Sequence, residues 1–531
     1  MGPAVRRTNV LRKPAALASA VLLTCLSGCS TLKGAPDALI NLAGQSTQSG
    51  FHGKYLEQEE IRSYFRLDPQ RNQNLRLSYD GRSLPANEIR QQNVVLIPEL
   101  QSYLQGIVER LGKGWPGELP PLQVKVTDSY SFGPSADPYG NLYVPLGMLE
   151  SVESEDEIAS MLAHEMSHVL LRHHDRRQAF NEQRELLTSI ATTAVIATMV
   201  ADSRLDRSAS TLKMVSKNPQ ATQKAIGDTM LYTSLANTFS DNVWNTAWGR
   251  AQEDQADLLG TDLLIKARYA PRGASHSLQR LSDFQGKQEP ILAGFIQARR
   301  GAMQASLQRL DLNGFTQEIN TFVNQGLMTT VSAVGQHLTR SHMSAQRRDD
   351  DLRQYLQREY DTERYLRVNK RNWHAVRNNP NVKTSLEAYK NAYGANEALS
   401  QKNLKDAQTL AERALKSPVA NQPGIRRSLY NVHMATGDSL KALAQLNAIK
   451  DWSLAGPEVY EQLVHYHLNN GNAGAALAAI EQAELHLASQ EQFIVEKMLA
   501  HKLKQDETEL RALGEKCKQM PNRKDLCKKI G

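Results

Sequence analysis

The sequence predicts a mainly α-helical protein of two folded parts. Three observations predict it. Residues 154–172 carry the pattern of a capped amphipathic helix, and the chain beyond Pro380 is Ala-rich with a period of 34 to 35 residues. No apolar run reaches the ~20 residues that cross a bilayer as a helix, which excludes a polytopic membrane protein. A length of 531 residues is too great for a single core and fits roughly two to four domains.

Composition is that of an ordinary globular protein, with 40% apolar and 22% charged residues. The formal charge of +7 is partly local, because Arg6, Arg7, Arg12 and Lys13 lie in the first 28 residues with no acid among them. Without that segment 59 basic residues face 56 acidic ones. A nucleic-acid binder clusters its basic residues on one face, and no dense basic run occurs here, so no nucleic-acid partner is expected. The last 18 residues are mildly basic, either a solvated surface or a contact with a polyanion.

The N-terminus reads as an address. A basic segment, a short apolar stretch over residues 14–26 and Leu26-Ser27-Gly28-Cys29 make a secretory signal over residues 1–28. The Leu-Ser-Gly-Cys ending resembles the bacterial lipobox, which implies that Cys29 is lipidated and starts the mature chain; an ordinary signal with a chance cysteine is the alternative. Multiple acyl chains anchor stably where one does not. Ser30 rather than Asp after the cysteine resembles the sorting rule for the outer membrane, which places the chain in the cell envelope on the periplasmic side of that membrane. Residues 29–60 are read as the lipidated cysteine and a flexible tether rich in Ser, Thr, Gly and Gln.

Residues 61–377 carry the chemistry. Ser154 with Glu157 three residues on is a capping box, which starts a helix there. Ile158, Met161, Leu162, Val169 and Leu170 give it an apolar face. On that helix lie His164, Glu165 and His168. Histidines at i and i+4 sit ~40° apart on the helical wheel, so both rings reach one point. Neutral imidazole suits Zn²⁺, and Glu165 is placed as a general base. His173 and His174 project ~180° and ~80° away and are expected in solvent or as hydrogen-bond partners rather than as ligands. A third ligand is needed. Glu253 and Asp257 share a helical face, so that one can bind metal while the other holds a ligand histidine. Asp254, ~100° from Glu253, is the competing ligand.

His164-Glu165-x-x-His168 followed by Glu253-x-x-Ala256-Asp257 resembles the gluzincin metallopeptidase family that includes HtpX and the CAAX prenyl proteases. The resemblance implies a gluzincin-type α+β domain with a small sheet, one zinc per chain on His164, His168 and Glu253, and Asp257 orienting a ligand histidine. It also implies that the segment Gly140–Gly147, which follows a strand-like stretch at Leu122–Val126, is an edge strand that pairs with substrate backbone. In the family a late Thr-His-Pro…Arg segment resembles Leu338–Met343 and Arg348 here. This implies that His342 can take the open metal position as a regulatory fourth ligand and that Arg348 matches the family arginine; an ordinary polar loop histidine is the alternative.

Eighty-five residues separate His168 from Glu253. Residues 186–201 form an apolar stretch too short to span a bilayer, read as a core helix, a lid or a shallow membrane contact. Residues 202–228 are polar and read as a loop.

After Asn379-Pro380, residues 381–531 repeat. Ala407, Ala442 and Ala476 are spaced by 35 and 34, followed by Ala411, Leu446 and Ile480, with Gly437 and Gly471 preceding the second and third alanines. The pattern resembles tetratricopeptide repeats, about three and a terminal helix, and such stacks make grooves for partner proteins. Tyr460, Tyr466 and His467 are read as core or as groove contacts. Cys517 and Cys527, ten apart in an exported chain, are expected to form a disulfide.

Together these features resemble the BepA-like periplasmic zinc metallopeptidases with C-terminal repeats. The resemblance implies an endopeptidase acting on misfolded or stalled outer-membrane proteins, with the repeats engaging unfolded envelope proteins or the outer-membrane assembly machinery. The alternative is a chaperone or scaffold built on the repeats, with a latent or structural metal site.

Overall fold

A computed structural model of the chain describes residues 92–115, 119–137, 139–171, 173, 203–208, 211–216, 250–284, 345–487, 492–520, 527, 528 and 530. The signal segment, Cys29, the tether, His174, residues 186–201 and His342 lie outside the described residues. Among the described residues no helix is long and apolar enough to cross a membrane.

The first helix, α1 (Pro98–Gly112), begins on a proline whose fixed φ suits a first turn and buries Leu100, Leu104, Ile107, Val108 and Leu111 along one face. Beside it lies a three-stranded sheet in the order β1-β3-β2. Strand β1 (Gln123–Thr127) runs parallel to β3 (Asn141–Pro145), with Val124 opposite Leu142 and Val126 opposite Val144. Strand β2 (Ser135–Ala136) pairs antiparallel on the other side of β3.

The expected edge strand is therefore the central one of this sheet. The reason is Asp137, which folds the chain back after β2. Its Oδ1 accepts from the backbone N–H of Tyr139 and Asn141, and its Oδ2 accepts from Asn141 Nδ2 and Tyr143 Oη. The turn also needs Gly140. Its φ is +87°, and a Cβ there would meet Pro121 O at 2.2 Å.

Helix α2 (Leu146–Ser151) leads to α3 (Glu155–Leu170), whose N-cap is Ser154 as the capping box predicts. Ser154 Oγ accepts from Glu157 N at 3.2 Å and donates to Glu157 Oε1 at 3.0 Å. A hairpin of β4 (Ser203–Ser208) and β5 (Thr211–Ser216) lies within residues 202–228, where a loop was expected. The alternation of Leu212 and Met214 around Lys213 is the period of two that a strand needs, and it is short enough to be lost in a polar stretch.

Helix α4 (Arg250–Lys266) packs on α3, with Gly260 at the crossing. Among the described residues two further helices, α5 (272–284) and α6 (345–359), belong to this part.

A short helix α7 (Arg371–Arg377) leads into α8 (Pro380–Ser400), which Asn379 caps by accepting from Asn381 N and Val382 N. The rest is paired helices: α8 with α9 (Leu404–Ala414), α10 (Pro423–Ala435) with α11 (Ser439–Asn447), α12 (Pro457–Asn469) with α13 (Ala473–His486), and α14 (Ile494–Lys504) with α15 (Glu507–Lys518). That makes four hairpins among the described residues, where three and a terminal helix were expected.

Each hairpin turns on a left-handed residue followed by an Asn or Asp N-cap. The turn residues are Lys402, Gly437, Gly471 and Gln505, and the caps are Asn403, Asp438, Asn472 and Asp506. Only two of the four turns use glycine; the last, on Gln505, has none, and its hairpin therefore carries the pattern of a single terminal helix. Ala407, Ala442 and Ala476 are fully buried where paired helices approach. Tyr460 is core, donating from Oη to Trp452 O at 2.8 Å. Cys517 and Cys527 are joined, with Cα atoms 5.8 Å apart.

The array is fastened to the first part. Val94 N donates to Leu454 O, Gly456 N to Asn93 Oδ1 and Gln422 Nε2 to Leu96 O, all within 2.8 Å. Buried Trp373 donates to Val152 O at 3.1 Å.

Candidate metal centre

The site is built where α4 crosses α3. A Cβ on Gly260 would sit 3.1 Å from His164 N, so the backbones meet at the first histidine. This close crossing brings the carboxylates of α4 against the imidazoles of α3.

His164 Nε2 and His168 Nε2 are 3.1 Å apart. Glu253 Oε2 lies 3.5 Å from His164 Nε2, and Glu253 Oε1 lies 3.6 Å from His168 Nε2. Among the described residues this is the group of three His, Cys, Asp or Glu side chains that converge as metal ligands do. A tetrahedral zinc with bonds of 2.0–2.1 Å separates its ligand atoms by ~3.3 Å, close to the spacings found. Glu253 Oε1 is buried without a hydrogen-bond partner, which leaves an oxygen lone pair aimed into the cluster. Two imidazole nitrogens and a carboxylate oxygen are the donor set of a catalytic zinc. The residues present fit the ion.

Each of the three candidate ligands is held from behind. His164 Nδ1 lies 2.9 Å from Asp257 Oδ1. Arg348, on α6, grips Asp257 with both prongs, Nε to Oδ2 at 2.7 Å and Nη2 to Oδ1 at 2.8 Å. Its Nη1 reaches Glu253 Oε2 at 2.8 Å. Arg348 is thus a clamp on two carboxylates; a guanidinium has no lone pair to offer a metal. His168 Nδ1 contacts His173 Nδ1 at 2.8 Å, and His173 Nε2 contacts Gln255 Oε1 at 3.0 Å. Asp254 stands outside the converging cluster, and burial with the nearby Asp257 charge raises its carboxyl to about 6.

The electrostatics follow from this packing. Burial alone would lower the His164 pKa, but hydrogen bonds to Asp257 and Glu253 outweigh it and raise it to about 10. Asp257, behind Nδ1, makes the imidazole a stronger electron-pair donor at Nε2. Burial alone would raise the Asp257 carboxyl, yet Arg348 and His164 hold it well below the usual carboxylate range. Glu165 is 2% exposed, and burial pushes its carboxyl up to about 8, with Glu253 adding to the rise and His164 opposing it.

Sequence reasoning brought together His164, His168, Glu253 and Asp257. It missed Gln255, two residues from each acid, where helical spacing gives no hint of a partner. The partner is the imidazole of His173, placed by the chain just beyond α3.

The family model for Peptidase family M48 matches residues 98–355. That span runs from α1 to α6, holds every residue of the cluster and stops before the helical pairs. The match supports a metallopeptidase of the gluzincin type, a family whose members usually bind zinc. No curated protein matches the chain.

Proposed function

We propose, from the peptidase M48 match and the cluster within it, that the chain is a zinc-dependent endopeptidase of the bacterial cell envelope. The observation that carries the reading is the convergence of His164, His168 and Glu253 with Glu165 buried next to the first of them. A structural zinc has no use for that buried carboxyl.

When bound by these three side chains, a zinc ion supplies Lewis acidity and lowers the pKa of a water to ~7. The Glu165 carboxylate takes a proton from the attacking water as its oxygen bonds to the peptide carbonyl carbon. The same carboxyl passes that proton to the departing amide nitrogen as the C–N bond breaks. Burial, which raises the Glu165 pKa, favours a group that can hold a proton near neutral pH between the two events. Asp257 keeps His164 oriented, and Arg348 keeps Asp257 charged and in place.

The substrates of this reading are misfolded or stalled outer-membrane proteins. They are selected by the helical pairs, which we take as tetratricopeptide-type repeats that also contact the assembly machinery. The 34–35-residue period and the fastening of the array to the peptidase region support it. The lipobox-like end at Cys29 supports lipid anchoring at the inner face of the outer membrane. His342 is read as a gate over the metal, so His342→Ala is expected to raise basal activity.

The test is degradation of an unfolded outer-membrane β-barrel protein by the purified chain. Activity should vanish on chelation and return with zinc. Degradation indifferent to chelation would remove the reading.

A further inference from the structure

His168 is the deeper of the two histidines, with 1% of its side chain exposed against 16% for His164. A carboxylate backs His164. Behind His168 stand an imidazole and an amide in place of a carboxylate, His173 and Gln255, with His173 itself buried. The polarity of this chain follows link by link. An amide oxygen only accepts, so His173 Nε2 carries the hydrogen that meets Gln255 Oε1. A neutral imidazole protonated at Nε2 offers a lone pair at Nδ1. His168 Nδ1 must then donate to it. That leaves the His168 Nε2 lone pair directed toward His164 Nε2 and Glu253. The reverse polarity, with the Gln255 amide donating, would put a hydrogen on His168 Nε2, where a metal needs an electron pair.

We propose that His173 and Gln255 are positioning residues that fix His168 in its metal-binding tautomer. The proposal rests on His168 being a metal ligand. Neutral partners suit this place. Glu253 and Asp257 already share the charge of Arg348, and a third carboxylate buried behind His168 would have no cation beside it. The relay orients the ring without adding charge.

The zinc dissociation constant of the full chain is measured by competition with a chromogenic chelator, with thermal unfolding of the metal-free chain followed alongside. Loss of a hydrogen-bond partner behind a ligand typically weakens metal binding roughly 10- to 100-fold, and that is expected for His173→Ala. His173→Asn keeps an oxygen acceptor near the place of Nδ1 and is expected to stay within about threefold of wild type. Gln255→Leu is expected to weaken binding by about three- to tenfold. With Co²⁺ in place of zinc, the visible bands should shift in His173→Ala and recover in His173→Asn.

Equal zinc affinity in wild type, His173→Ala and Gln255→Leu would overturn the proposal and leave the metal site standing. An Asn variant as weak as the Ala variant would reduce His173 to packing. If His173→Ala does not fold, Gln255→Leu decides, and wild-type affinity there overturns the relay. A wild-type chain that binds no zinc would remove the metal reading beneath it as well.

Discussion

Arg348 donates to Asp257 and Glu253 at once, so one guanidinium balances two buried carboxylates. Arg348→Ala leaves both without their cation, and breaking such a buried pair typically costs ~3–5 kcal/mol. We expect a loss of that size in urea unfolding, together with weaker zinc binding. Arg348→Lys should not restore it, because an ammonium cannot span Asp257 with two parallel bonds.

Asp257 gives a pH signature. Its carboxyl is lowered in the folded chain, so its contribution to stability is complete above the unfolded pKa of ~4 and is lost as the pH falls toward the folded value. Asp257→Asn should therefore flatten the acid limb of stability below ~pH 4 in urea unfolding across a pH series. At this scale helical spacing paired His164 with His168 and Glu253 with Asp257, and the structure brings the two pairs together, whereas the choice of Glu253 over Asp254 as candidate ligand came from the family resemblance. The sequence did not reveal Gln255 or the grip of Arg348, since both depend on how separate helices cross.

Among elements, the crossing of α3 and α4 is controlled by Gly260, whose missing side chain admits the backbone of His164. Gly260→Val should push α4 outward, costing ~1–3 kcal/mol of stability and loosening zinc, read by thermal unfolding and chelator competition. The repeat turns invite the opposite change. Lys402 and Gln505 hold φ near +60° without being glycine, at 61° and 59°. Left-handed backbone costs an L-residue ~1–2 kcal/mol, so Lys402→Gly should raise the urea midpoint by the equivalent of up to ~1 kcal/mol. The period was legible from the alanines, because close helix packing demands small residues. The number of units was not, because Asn and Asp caps rather than glycines mark all four turns. The centre of the sheet was misplaced for a similar reason: two residues of β2 carry too little pattern to be seen, and the Asp137 turn that creates them is made by side-chain hydrogen bonds.

For the whole molecule, the peptidase region and the helical array are joined through residues 93–96. Asn93 both accepts from Gly456 N and donates to Asp128 Oδ2 at 2.7 Å. This joint lies far apart in sequence and left no sequence signal. At the other end, the Cys517–Cys527 bridge closes a ten-residue separation. A loop of that length stabilises by ~2–3 kcal/mol, so Cys527→Ser should lower the unfolding midpoint accordingly.

In the function proposed, one zinc site with Glu165 beside it hydrolyses peptide bonds. The decisive experiment is cleavage of one unfolded outer-membrane substrate by wild type and by Glu165→Gln, with the zinc content of both measured. Both proteins should hold one zinc, and the variant should cleave at least ~10²-fold more slowly. Equal cleavage by both would rule out Glu165 and the zinc site as the source of the activity.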